Sequence, residues 1–338
     1  MHGRKKLDKP RSEEELAAIR AKVLNYSKVV AATNQLRREL LAHPSAQTQK
    51  TLLDVVDKVV RVNPDYYSMW NYRKEAALPI LEAAEGQAKV GVQERRAQVV
   101  EQELALAAAA FKRNPKCYSA WHHRRWVLER GADAIGGEAA YRRELELCRQ
   151  FLLLDSRNFH CWAYRGWVVE QAGLSAEEDF AFTTEKILEN FSNYSAFHYR
   201  SKLLPAVAEA RGAGGVLTLV EQELEMVHQA FFTEPDDQSA WWYHRFLVGW
   251  AAEALHGTEH HDKYPELLQK EVDCIRELLF VEERCKWALV TLHHLLCALA
   301  RTAQDTEGVE LMAEARSLVT TLVDVDPMHK SYYDSLLQ

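Results

Sequence analysis

Asn114-Pro115-Lys116-Cys117-Tyr118-Ser119-Ala120-Trp121-His122-His123-Arg124 decides the fold, because the chain repeats it. Variants read Asn63-Pro64-Asp65-Tyr66-Tyr67-Ser68-Met69-Trp70-Asn71-Tyr72-Arg73 and Ser156-Arg157-Asn158-Phe159-His160-Cys161-Trp162-Ala163-Tyr164-Arg165. Two more are Ser192-Asn193-Tyr194-Ser195-Ala196-Phe197-His198-Tyr199-Arg200 and Pro235-Asp236-Asp237-Gln238-Ser239-Ala240-Trp241-Trp242-Tyr243-His244-Arg245. A degenerate sixth copy surrounds Trp287 without the Arg, and a seventh half-copy runs from Asp326 to Tyr332. The aromatic anchors follow one another at intervals of 51, 41, 35, 44 and 46 residues. That spacing fits a two-helix unit with loops of variable length.

The local chemistry predicts how each unit is built. Asn63-Pro64, Asn114-Pro115 and Asp326-Pro327 read as an N-cap side chain followed by proline at the first helical position. The anchor and the Arg one turn later share a helix face: Trp70 with Arg73, Trp121 with Arg124, Trp162 with Arg165, Phe197 with Arg200, and Trp241 with Arg245. The ring fills the groove between hairpins, while the Arg lays its stem along that surface and reaches carbonyls of the adjacent helix. Between the copies lie segments of 3.6-residue apolar period, such as Leu217-Val220-Leu224-Val227-Phe231. Ser12 to about His43 reads as a further long amphipathic helix capped by Ser12. No strand-like alternation occurs. The expectation is an all-α fold, an α-solenoid of about six or seven hairpins wound into a right-handed superhelical crescent. It comprises a tail over 1–11 and one helical-repeat domain over 12–338.

Composition agrees. Apolar residues make up 47% and charged residues 27% of the 338, enough for a large core. Nine Pro and 14 Gly favour long helices with few turns. A net charge of −7 without a basic face argues against a nucleic-acid binder. The short run Arg4-Lys5-Lys6 through Lys9 and Arg11 reads as a solvated tail. Cys117, Cys148, Cys161, Cys274, Cys285 and Cys297 show no CxxC spacing, and no secretory leader is evident. They read as reduced thiols of a cytoplasmic protein. No apolar run approaches the roughly 18 residues a membrane span needs.

Function is sought where the repeats cease to be equivalent. The residue five before each anchor is Asp65, Lys116, Arg157, Ser192, Asp236 and Glu282 in turn. On this register only the second and third copies are basic, against the acidic preference of a helix N-terminus. A cation added to free N–H groups makes an anion site, to which Tyr118 can add a phenol donor, with Asn158 and His160 in the corresponding turn of the third copy. A phosphate or diphosphate is the fitting guest. The other constellations are weak. His256 and His260 have metal spacing but are interrupted by Gly257. His122-His123 and His293-His294 read as a packing or hydrogen-bonding position beside an exposed one. Phosphate-cradling glycine loops and nucleophile elbows are missing, so the chain carries no complete catalytic apparatus. A tetratricopeptide array would show a period of about 34 and a different signature.

The pattern Asn/Pro-x-x-Tyr-x-x-Trp-x-x-Arg, in five copies from residue 63 to 245, resembles the protein prenyltransferase alpha-subunit repeat. Within that family the Rab geranylgeranyltransferase (type II) branch is suggested by Met1-His2-Gly3-Arg4, Arg157–Trp162, Asn190–Ser195 and Phe231–Trp241. The chain shows neither an immunoglobulin-like insert nor leucine-rich repeats, so the resemblance implies a compact, fungal-like form. It further implies an enzyme subunit active only as a heterodimer. The alpha crescent wraps a beta subunit that holds zinc, and a thiolate attacks C1 of geranylgeranyl diphosphate. The acceptors are C-terminal cysteines of Rab GTPases delivered by a Rab escort protein. By family match Lys116 and Tyr118 act on the departing diphosphate, Arg157, Asn158 and His160 line the same mouth, and His2 reaches the partner's zinc. The alternatives are a farnesyltransferase or type I alpha subunit, and a non-catalytic helical scaffold.

Overall fold

The computed structural model describes residues 12–83, 91–212, 214–303 and 306–337. The tail over 1–11, with His2 and the basic run, lies outside the described residues. Among the described residues there are fifteen α-helices, two 3₁₀ turns and no strand. An initial helix, α1 (Glu13–Ala42), is followed by seven hairpins. They pair α2 (Ala46–Val62) with α3 (Tyr67–Leu81), α4 (Val92–Arg113) with α5 (Tyr118–Gly131), and α6 (Glu138–Leu154) with α7 (Phe159–Ala172). Then come α8 (Ala176–Glu189) with α9 (Tyr194–Arg211), α10 (Gly215–Thr233) with α11 (Gln238–Leu255), α12 (Lys263–Val281) with α13 (Lys286–Ala300), and α14 (Thr306–Val325) with α15 (Lys330–Ser335). The fold is an α-solenoid. Its contacts divide the chain into two compact units, Met1–Phe151 with Asn158–Ala172, and Leu152–Arg157 with Gly173–Gln338.

Helix starts follow elementary capping. Ser12 and Ser175 each close a capping box with the Glu three residues on, and Ser45 caps α2 through the Thr48 N–H. The Asn-Pro pairs behave differently from the expectation. Asn63 and Asn114 are C-caps of α2 and α4, and the next helices begin only at Tyr67 and Tyr118. Proline therefore occupies the turn between helices, where its missing N–H costs nothing.

That proline has a structural use. Trp70, Trp121 and Trp241 each donate an indole N–H to the carbonyl six residues earlier, Pro64, Pro115 and Pro235, always at 2.8 Å. The ring thus buries its apolar body while its one donor is satisfied inside the turn. The ring surface meets the preceding helix: Trp121 stacks on Phe111 with centroids 4.1 Å apart, and Trp241 on Phe231 at 4.4 Å. Trp70, Trp121, Trp162, Phe197 and Trp241 are all buried.

The Arg of the repeat does more than reach carbonyls. Arg73, Arg124 and Arg200 each donate to a carbonyl 20 residues earlier, Leu53, Leu104 and Phe180. Each also grips a buried carboxylate of the next hairpin with two N–H groups. The pairs are Arg73 with Glu103, Arg124 with Glu144, and Arg200 with Glu223, at 2.5–2.7 Å. The same carboxylates accept from the second helix of their own hairpin, from His123 (2.8 Å), Tyr164 (2.7 Å) and Tyr243 (2.6 Å). A buried charge is tolerated only when so paired. Arg73 and the His123 bond hold the Glu103 carboxyl down at about 2 against the desolvation that opposes it. Burial in turn drives the Tyr164 and Tyr243 phenols well above their usual range. Arg165 is likewise buried.

Three repeat assignments are corrected by this geometry. In the fifth copy the place of the Arg is taken by His244, which is buried and donates to Glu271 at 2.8 Å, while Arg245 is exposed. In the sixth copy Cys285 caps α13 and bonds the Pro235 carbonyl as Cys117 bonds that of Pro64. The buried anchor is therefore Leu289, and Trp287 stands two residues ahead of it. In the last hairpin the buried ring is Tyr333, whereas Tyr332 is 43% exposed. The expected pairing of a packed histidine with an exposed one holds at His122-His123, but at His293-His294 neither ring is exposed. His123 is buried beside exposed His122, and His293 is buried and bonded to the Ala315 carbonyl beside half-buried His294.

Candidate functional site

The turns that precede α3, α5 and α7 are tied to one another. Asp65 accepts two bonds from the Asn114 amide (2.9 and 3.1 Å), and Cys117 donates its S–H to the Pro64 carbonyl (3.1 Å). Asn158 repeats the device one hairpin on, donating to the Pro115 carbonyl (3.2 Å). Its Oδ1 accepts from the His160 and Cys161 N–H groups, which makes Asn158 the N-cap of α7. Buried Asn158 is thus a bolt between two helix tips, and the Asn114 Oδ1 fixes the backbone of the next turn by accepting from the Lys116 N–H.

These bonds bring Lys116, Tyr118, Asn158 and His160 together. Tyr118 is the first residue of α5 and is 70% exposed. Its ring stands edge-to-face on His160, centroids 4.1 Å apart at 86°, with the half-exposed Phe159 ring 6.0 Å away. That packing fixes the direction of an otherwise loose phenol. His160 is buried, and burial together with the Lys116 charge pushes its imidazole pKa down. It stays neutral near pH 7, so an anion arriving here meets Lys116 as its cation and Tyr118 as its hydroxyl donor. Lys116 itself is exposed and precedes Cys117, the N-cap of α5. It therefore lies just outside the helix and not in its first turn, so its own charge carries more of the attraction than the macrodipole does.

Arg157 is exposed on the turn before Asn158, its N–H bonded to Asp155. Its charge contributes, as the smallest cause, to holding the Asp237 carboxyl low. The series of basic positions also changes. With Leu289 as the sixth anchor, the residue five before it is Arg284, which pairs with Asp324 at 3.0 Å. What marks the second copy is therefore the company of Lys116, a phenol and a neutral imidazole, more than the cation alone. No sequence signal announced that Asn158 would bolt the two tips together. Among the described residues no group of three or more His, Cys, Asp or Glu could hold a metal ion, His256 and His260 included. No helix among them is long and apolar enough to cross a membrane.

Five segments match the protein prenyltransferase alpha subunit repeat: 50–77, 100–131, 141–172, 176–207 and 220–251. They coincide with the hairpins from α2–α3 to α10–α11, and the two hairpins with displaced anchors fall outside them. The chain is 33% identical over 330 residues to the geranylgeranyl transferase type-2 subunit alpha of Dictyostelium discoideum, covering 96% of each. This chain belongs to the protein prenyltransferase alpha-subunit family. The relative of the same name from Schizosaccharomyces pombe is 30% identical, with 99% of this chain and 97% of that one covered. The mouse relative is 40% identical over 257 residues, and the match spans 42% of its length. A solved structure titled Candida albicans protein geranylgeranyltransferase-I complexed with GGPP superimposes with a TM-score of 0.67 at 16% identity. It covers 100% of this chain and 94% of that one, and the prenyltransferase alpha-subunit solenoid is the fold they share.

Proposed function

We propose that this chain is the alpha subunit of a type-2 geranylgeranyltransferase, one helical-repeat domain over 12–338 that works with a separate beta subunit in the cytoplasm. The assembled enzyme transfers the geranylgeranyl group of geranylgeranyl diphosphate to C-terminal cysteines of Rab GTPases presented by an escort protein. The observation that carries this reading is the meeting of Lys116, Tyr118 and His160 at two bolted helix tips. The near full-length likeness to type-2 alpha subunits supports it.

The reaction breaks the C1–O bond of the diphosphate ester as the cysteine sulfur attacks, and the bonding pair leaves on the diphosphate oxygen. Charge therefore grows on the leaving group in the transition state, and donors aimed at it lower the barrier more than they tighten ground-state binding. Lys116 supplies a full charge and Tyr118 a hydroxyl. His160 holds the Tyr118 ring and remains neutral, so it adds no competing cation. Asn158 fixes the spacing of the tips. Zinc belongs on this reading to the beta subunit, with His2 as a ligand from this chain. Among the described residues no group of three or more His, Cys, Asp or Glu could hold the ion.

Reconstitution with a type-2 beta subunit and geranylgeranyl diphosphate tests the proposal. Escort-dependent modification of a Rab protein and none of a short CaaX peptide is the expected result. Efficient transfer to the peptide without an escort would favour the type I or farnesyl reading. Failure to form any heterodimer would leave the scaffold reading.

A further inference from the structure

The cation of the site leaves the backbone from a single peptide plane, and that plane is held at both ends. The peptide between Pro115 and Lys116 offers its carbonyl to the Trp121 indole (2.8 Å) and to the Asn158 amide (3.2 Å). Its N–H, at the other end, donates to the Asn114 Oδ1 (3.1 Å). A peptide unit is planar, so fixing both ends fixes the direction in which the Lys116 stem departs. The carbonyl end is secured by Trp121 and Asn158, both buried. The N–H end is secured by Asn114, which is only half-buried.

Asn114 can do this in one orientation only. Its amide accepts at the carbonyl end and donates at the NH2 end. Turned over about its last torsion, it would set NH2 against the Lys116 N–H, donor against donor. Asp65 decides between the two orientations. Its carboxylate takes two bonds from the Asn114 amide, at 2.9 and 3.1 Å, and a carboxylate can only accept. Asp65 stands on a stiff mount. The carbonyl of Pro64 before it takes the Trp70 indole (2.8 Å) and the Cys117 S–H (3.1 Å), and the Asp65 carbonyl takes the Tyr67 N–H (3.0 Å). The Asp65 side chain is itself exposed, so it adds little to stability. On charge alone a carboxylate near a departing diphosphate would slow the reaction, because it opposes the charge that grows there.

We propose that Asp65 is a positioning residue for the transfer reaction: by orienting the Asn114 amide it aims the Lys116 ammonium at the departing diphosphate. The proposal rests on the reading of Lys116 given above. It adds a residue of the first repeat that acts on the chemistry through the second.

The test is single-turnover transfer by the reconstituted heterodimer over a range of geranylgeranyl diphosphate concentrations. Asp65→Ala frees the amide to turn and should lower the saturated rate by about 3- to 10-fold. The half-saturating concentration should stay within about twofold of the parent, because Lys116 acts on charge that grows in the transition state. Asp65→Asn removes the charge and keeps a carbonyl acceptor for the Asn114 amide, so it should restore the rate to within about twofold of the parent. In a Lys116→Ala background, Asp65→Ala should change the rate by less than about twofold, since no ammonium is left to aim. Asn114→Ala cuts the same link from the other side and should match Asp65→Ala, which keeps the proposal testable if one of the two variants fails to fold. An Asp65→Ala rate equal to that of the parent overturns the proposal. So does equal slowing with and without Lys116, which would place the effect of Asp65 elsewhere. Faster transfer by Asp65→Ala and Asp65→Asn alike would make Asp65 an opposing charge and nothing more, and also overturns it. A Lys116→Ala enzyme as fast as the parent overturns instead the reading on which the proposal rests.

Discussion

Glu103→Ala removes one carboxylate from the interior and leaves its partners behind. Arg73 and His123 both point at Glu103, at 2.6 to 2.8 Å, and all three side chains are at most 5% exposed. Arg73 and the His123 bond hold the carboxyl down at about 2, so the interior is built around the ionised form. Breaking a buried pair by deleting one member costs about 3–5 kcal/mol, because the surviving charge stays desolvated. Urea unfolding of Glu103→Ala should therefore lose about 3–5 kcal/mol. The control is Glu138→Ala, which breaks an exposed pair with Arg142 and should cost less than about 1 kcal/mol. The sign of the pH dependence follows. A depressed carboxylate stabilises above its unfolded pKa, so this contribution is intact above about pH 5 and disappears as pH falls toward 2. Glu271, also held at about 2, adds to the same acid limb. Equal costs for Glu103→Ala and Glu138→Ala, or an acid limb that survives Glu103→Ala unchanged, would refute the reasoning.

His228 is pushed up to about 10 through its bonds to Cys274 and Glu271, which outweigh its desolvation. Its stabilising contribution is full below about pH 6.5 and is lost as pH rises toward 10. His228→Gln should flatten that alkaline limb in urea titrations run from pH 6 to 10. Tyr118→Phe keeps the ring on His160 and removes only the donor, so single-turnover transfer in the reconstituted enzyme should slow by roughly 10-fold or more while assembly is unaffected. Cys117, Cys148 and Cys161 are buried, and burial raises the thiols of Cys117 and Cys148. Timed alkylation followed by peptide mass spectrometry should label half-buried Cys274 well before those three.

The hairpin array was legible in the sequence because the repeat carries its own chemistry. A Trp needs a wall and an acceptor, an Arg needs carbonyls, and a turn tolerates Pro. The carboxylate ladder was not legible. Glu103, Glu144 and Glu223 sit within apolar helix faces, and nothing local marks them as partners of residues 20 to 30 positions earlier and 20 later. His244 escaped notice because Arg245 beside it looked the part, and only depth distinguishes the two. At the site, Lys116 stood out by contrast between copies, and Tyr118 by its place two residues after it, since Tyr67 and Tyr194 hold the same position in other copies. The burial of His160 and the bolting role of Asn158 depend on which turns become neighbours, and a linear reading cannot order those. Arg284 is the reverse lesson: counting from Trp287 instead of Leu289 hid a third basic position.

Everything functional in this account depends on Lys116 meeting the diphosphate as it leaves. Single-turnover transfer by Lys116→Ala, assembled with the beta subunit at saturating geranylgeranyl diphosphate, measures that directly. The rate should fall roughly 10- to 1,000-fold with the heterodimer intact. A rate equal to that of the parent enzyme would contradict the assignment and leave this face of the solenoid without a part in the chemistry.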